Sequence, residues 1–169
     1  MSIESEATAT AGTGDERLAT FWVPMQQKSL LVPQVAIAEV VAKATLQAVP
    51  DAPVWLLGRL DWRGQSLPVL SYEAANGQTQ APDSPGVRLA IFNTLSDGAA
   101  LPFWALRIQG IPRLLRLSDA EVREDSLARC TRAERLAVIT QLGKASIPDL
   151  DYLESLAASI GITSAERAD

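Results

Sequence analysis

The chain has 169 residues, 47% hydrophobic and 21% charged, a balance suited to one folded domain or to two small lobes sharing a core. Its formal net charge of −5 argues against binding to phosphate backbones or anionic lipid surfaces. With no histidine and one cysteine, it lacks the usual near-neutral acid–base group, the commonest metal ligand and any thiol pair for a disulfide.

In chain order, residues 1–17 are small and polar without apolar periodicity, and a disordered leader is expected there. Met1-Ser2-Ile3-Glu4-Ser5-Glu6 carries acids where a secretory signal needs a basic patch, and no stretch of about 18 apolar residues occurs. These features predict a cytoplasmic protein without direct membrane insertion. Gly12 and Gly14 lack the flanking strand and helix of a phosphate loop. From Leu18 the pattern changes to short apolar runs. Phe21–Val23 and Ser29–Val32 read as a hairpin turning near Gln26-Gln27-Lys28, with Pro33 ending the second strand. Ile37-Ala38-Glu39-Val40-Val41 continues apolar, followed by Ala44-Thr45-Leu46. Pro50 and Pro53 bracket a turn, and Val54–Gly58 reads as a single helical turn closed by glycine.

The best-defined element runs from Arg59 to Leu70. A two-residue loop at Arg63-Gly64 sets Trp62 opposite Gln65 and Leu60 opposite Leu67. Leu60, Trp62, Leu67 and Val69 then share one apolar face, and Arg59, Asp61 and Ser66 share the other. A shift of one residue would expose Trp62.

Residues 73–86 are rich in turn formers and predict a break between lobes near 74–87. Arg88–Phe92 and Phe103–Ile108 read as strands separated by Ser96-Asp97-Gly98. Ser118-Asp119-Ala120-Glu121 is a capping-box pattern, so a helix is expected to open there. Val138–Thr140 and Ala145–Ile147 form a last strand pair around Gly143-Lys144. Asp149 caps a short C-terminal helix with apolar positions Leu150, Leu153, Leu156 and Ile160, and the chain frays over 163–169. Eight to ten short strands with little helix predict an all-β architecture of two small barrels within a domain spanning 18–162.

Among single residues, Cys130 reads as a small packing residue, and most of Trp22, Trp55, Trp62 and Trp104 read as core. Asp149, Asp151 and Glu154 sit at a helix start, where negative charge is favoured, and read as capping. Arg129, Arg132 and Arg135 alternate with acids and read as a solvated face.

The segment from Leu30 to Gly77 closely resembles the CheW-like domain family. The resemblance is carried, in order, by Leu31-Val32-Pro33, Ile37-Ala38-Glu39-Val40, Val49–Pro53, Gly58, Trp62-Arg63-Gly64 and Leu67-Pro68-Val69. Looser likeness continues through Ala105–Ile111 and Pro148–Glu154. Within the family, Trp55–Gly58, Asp61–Gly64 and Leu106–Arg113 are most similar to the ChpC branch, whose adaptors serve type IV pili and twitching motility. Trp62 stands where the family has leucine, Gln109 where it has aspartate, and Ser71 where it commonly has an acid.

The resemblance implies two five-stranded SH3-like β-barrels sharing a hydrophobic core, followed by the short helix. It also implies a non-catalytic adaptor without cofactor or metal, bridging the cytoplasmic tip of a chemoreceptor and the regulatory domain of a CheA-type histidine kinase. By the same resemblance Glu39 and Arg63 lie together beside the receptor groove. Ile37, Val40, Gly58 and Gly64 then supply apolar wall and close backbone approach, or serve only packing and turn geometry. A coupling protein of a flagellar chemotaxis array is the alternative within the family. An acid-dependent hydrolase built on Asp149 has no nucleophile beside a base. A nucleic-acid-binding barrel lacks a basic strand face.

Overall fold

The computed structural model describes residues 16–97 and 101–167, with side chains as far as residue 160. Residues 1–15 of the expected leader, and Gly98 of the expected turn, lie outside the described residues.

Among the described residues there are eleven strands: β1 (Leu18–Pro24), β2 (Ser29–Pro33), β3 (Ile37–Ala42), β4 (Leu56–Trp62), β5 (Gln65–Ser71), β6 (Arg88–Asn93), β7 (Phe103–Ile108), β8 (Arg113–Leu117), β9 (Arg123–Glu124), β10 (Glu134–Thr140) and β11 (Gly143–Pro148). The helices are α1 (Tyr72–Ala75) and α2 (Leu150–Arg167). The strands form a six-stranded sheet, β8-β1-β2-β11-β10-β9, and a five-stranded sheet, β3-β6-β7-β5-β4. Together with the C-terminal helix they give the expected mostly-β fold of two SH3-like lobes.

The lobes divide elsewhere than 74–87. The strands flanking that segment, β5 and β6, lie in one sheet, where β5 and β7 pair in parallel with Val69 opposite Ala105. The chain instead crosses between sheets through the single 3-10 turn Gln34–Ala36 and again over 109–112. One lobe is therefore continuous over 37–108. The other is assembled from 18–33 and 113–148, joined by the antiparallel pairing of β1 with β8 and the parallel pairing of β2 with β11.

Each sheet curls around its own interior, and the two share a third core. Leu60, Trp62, Leu67, Val69, Leu89, Ile91 and Ala105 fill the five-stranded barrel. Leu31, Val138 and Ala145 fill the six-stranded one. Between the lobes, Val23, Leu30 and Val32 meet Leu70, Phe92, Trp104, Leu106 and Ile108, and α2 lays Leu153 and Ala157 over the seam.

Several local expectations are corrected. Val54–Gly58 is not a helical turn. A tight turn donates Leu56 N–H to Pro53 O, and extended strand begins at Leu56. The Ser118–Glu121 capping box is real but opens only a three-residue 3-10 turn, since residues 123–124 pair with β10 instead. The last hairpin turns at Gln141-Leu142, leaving Gly143 as the first residue of β11. The closing helix continues past Thr163 to Arg167. Cys130 is exposed and not a buried packing residue.

The acids around the start of α2 also divide. Asp149 caps, accepting the Tyr152 N–H at 3.1 Å. Glu154 is buried and accepts from Leu95 N (2.6 Å), Ser96 N (3.3 Å) and Ser96 Oγ (2.5 Å), which ties the loop after β6 to the helix. Asp151 is exposed, 3.9 Å from Arg135.

A polar clamp joins the lobes beside the shared core. Thr131 Oγ1 and Ala133 N donate to Asn76 Oδ1 at 2.5 and 2.8 Å, and Asn76 Nδ2 donates to Glu134 Oε1 at 3.3 Å. The same buried carboxylate pairs with Lys28 at the β1–β2 turn. Burial pushes the Lys28 ammonium below, and the Tyr72 phenol well above, their ordinary ranges. Asn76 is 4% exposed, so truncation leaves the Ala133 N–H without its acceptor in a site water does not reach. Asn76→Ala is expected to cost about 2–3 kcal/mol in urea unfolding, against about 0.5 kcal/mol or less for a surface change.

Candidate functional site: the Glu39–Trp62–Arg63 cluster

The β4–β5 hairpin has the register its alternation demands, with Leu60 opposite Leu67, Asp61 opposite Ser66 and Trp62 opposite Gln65. Its loop residues, Arg63 (φ 49°) and Gly64 (φ 77°), both lie in the left-handed region, as a two-residue loop matching strand twist requires. Glycine adopts this freely. Arg63 does so against its side chain, which is projected from the tip of the turn.

Trp62 points the other way, into the barrel, and is 8% exposed. Its ring meets Phe103 edge-on at 4.9 Å. The outer edge of the barrel comes from β3, whose pairing with β6 slips between Ile37 and Glu39. This bulge breaks the alternation of faces. Ile37 and Val40 pack on the shared core, while Val41 packs on the five-stranded barrel core that contains Trp62.

Glu39 therefore meets the hairpin. Trp62 Nε1 donates to Glu39 Oε2 at 2.7 Å, and Arg63 Nη2 donates to the same oxygen at 3.3 Å. The Arg63 guanidinium carbon also lies 4.7 Å from the centroid of the Trp62 ring, within cation–π range. The side chains of Arg63 and Glu39 are 69% and 37% exposed, so their ion pair contributes only about 0–1 kcal/mol.

Of the six residues expected at the site, Glu39, Arg63 and Gly64 come together. Ile37 and Val40 face the shared core. Gly58 sits at a bulge in β4 (φ 147°), where an added Cβ would lie 2.7 Å from Gln47 O. Sequence reasoning missed Trp62 as a member of the cluster. No local signal marks it, because its acceptor Glu39 lies 23 residues earlier on another strand.

A second surface lies on the six-stranded lobe. Leu18, Leu31, Leu117, Val122 and Ile147 line an apolar groove of about 240 Å³. Among the described residues, no helix is long and apolar enough to cross a membrane.

The crystal structure of the scaffolding protein TtCheW from Thermoanaerobacter tengcongensis matches with a TM-score of 0.67 at 13% identity, covering 79% of this chain and 89% of that one. At that identity the likeness speaks for the fold alone. No curated protein matches at the sequence level. The family model described as the CheW-like domain matches residues 19–157, from the second residue of β1 into the first part of α2. The chain therefore belongs to the CheW-like domain family.

Proposed function

We propose that this protein is a non-catalytic adaptor that couples the cytoplasmic tip of a chemoreceptor to the regulatory domain of a CheA-type histidine kinase. Membership of a family of scaffolds supports the class of function. The observation that carries the site is the meeting of Glu39 and Arg63 at an exposed hairpin tip, where the pair adds little stability and is free to engage a partner. Arginine suits such a contact, because its planar fork offers several N–H donors while its stem rests on apolar surface.

In this reading the Glu39–Arg63 end of the five-stranded barrel takes the receptor, and the apolar groove of the other lobe leaves room for the kinase. Binding of the full-length chain to separate receptor-tip and kinase-regulatory fragments tests both contacts by calorimetry. Both should bind. Arg63→Ala should weaken the receptor contact about tenfold, the loss expected of an interface arginine anchor, and leave the kinase contact unchanged. Equal receptor affinity in that variant removes the site assignment, and binding of neither fragment by the natural chain removes the function.

The phrases Trp55–Gly58, Asp61–Gly64 and Leu106–Arg113 favour the type IV pilus branch over a flagellar array. A deletion strain should lose twitching and keep swimming. The opposite phenotype would assign the protein to flagellar chemotaxis.

A further inference from the structure

The two contacts on Glu39 differ in kind. The indole of Trp62 is buried, has two side-chain torsions and is braced by Phe103, and it reaches Oε2 at 2.7 Å. The guanidinium of Arg63 is exposed, sits on a long flexible stem and reaches the same oxygen at 3.3 Å. A short bond from a fixed donor to a charged acceptor dominates a longer one from a mobile donor in water. The orientation of the carboxylate is thus set from inside the barrel, and the ion pair at the surface follows it.

The ring of Trp62 also lies under Arg63. One side chain orients both charges. Both bonds to the carboxylate converge on Oε2, which leaves Oε1 toward an incoming donor. The Arg63 side chain is 69% exposed, so its other N–H groups are open to an incoming acceptor.

We infer that Trp62 is the positioning residue of the partner-binding pair: its indole N–H holds Glu39 in place while Arg63 exchanges its contact with Glu39 for one with the partner. This rests on the reading of Glu39 and Arg63 as the receptor contact. It adds that the carboxylate stays anchored when the guanidinium leaves it, so the site meets its partner without reorganising.

The test separates the two claims. In the free full-length protein, solvent exchange of the Trp62 indole proton, followed by NMR, should be slow and should accelerate about tenfold or more in Glu39→Gln, whose neutral oxygen is a weaker acceptor. Arg63→Ala should leave it slow. Unchanged exchange in Glu39→Gln overturns the anchoring whether or not any receptor binds.

For the receptor-tip fragment, Trp62→Phe retains the ring under Arg63 and deletes only the donor. It should weaken binding about fivefold to tenfold in the natural chain and have no further effect in a Glu39→Ala background, the non-additivity expected of residues acting as a unit. Binding of the kinase fragment should not change in any variant, which controls for folding. Equal effects of Trp62→Phe in both backgrounds would reduce Trp62 to barrel packing. Failure of the natural chain to bind the receptor fragment would instead remove the proposed function and leave the exchange result to decide the anchoring.

Discussion

Trp104→Ala is expected to lower stability by about 3–5 kcal/mol, enough to shift thermal unfolding by about 10 °C or more in a domain of this size. Trp104 lies on β7, is 1% exposed and is among the largest fully buried side chains. It stacks on Phe92 with ring centroids 4.6 Å apart and an interplanar angle of 17°. Both rings belong to the core between the two sheets, to which α2 adds Leu153 and Ala157. Alanine would therefore open a void bordered by both lobes and the helix, which cannot all close in together. Its indole nitrogen has no hydrogen-bond partner among the described residues. Trp104→Phe should consequently cost only about 1 kcal/mol, since it loses some volume and no bond. Urea unfolding of the two variants checks the pair of values. A cost below about 1.5 kcal/mol for the alanine variant would mean that the lobes are not held by a common core.

What could be read in the sequence follows how local each determinant is. The β4–β5 hairpin was legible to the residue, because the alternation Leu60, Trp62 and Leu67, Val69 and the glycine at Gly64 constrain each other within a dozen positions. Residues 54–58 were not, because Trp55-Leu56-Leu57 is apolar on both faces and carries no period. Gly58 then reads as a helix stop, although its conformation answers to Gln47, eleven residues earlier. The division of lobes depends on the pairing of β1 with β8, of β2 with β11 and of β5 with β7, all distant in sequence. Nothing local encodes it, and the turn-rich segment 74–87 was the nearest visible substitute. β8, Arg113-Leu114-Leu115-Arg116-Leu117, went unread as a strand because an edge position leaves Leu114 exposed and the alternation incomplete.

The site shows the same division. Glu39 and Arg63 could be paired only through family resemblance, since 24 residues separate them and neither has a local reason to meet the other. The bulge between Ile37 and Glu39 was invisible in the apolar run, and it turned Ile37 and Val40 onto the shared core. Glu154 looked like a capping acid because its role depends on a loop 58 residues away.

Gly58→Ala is expected to be far more damaging than its size suggests, by about 3 kcal/mol, and Gly64→Ala supplies the comparison. Both glycines have positive φ, 147° and 77°, so both substitutions force a side chain into strained backbone. They differ in surroundings. A Cβ at Gly64 meets nothing within 4 Å, so only the backbone term applies, about 1 kcal/mol. A Cβ at Gly58 falls 2.7 Å from Gln47 O and 2.9 Å from Leu46 Cβ. Gln47 cannot simply withdraw, because it exchanges two backbone hydrogen bonds with Arg59, each 2.9 Å, and that bridge ties the chain after β3 to β4. Relief of the clash therefore opens the five-stranded barrel at the edge where β3 also delivers Glu39 to the hairpin. In guanidinium unfolding the Gly58 variant should lose about 2 kcal/mol more than the Gly64 variant, a gap that isolates crowding from backbone strain. Equal losses would mean that the 44–47 segment yields freely and that the barrel does not depend on the bridge.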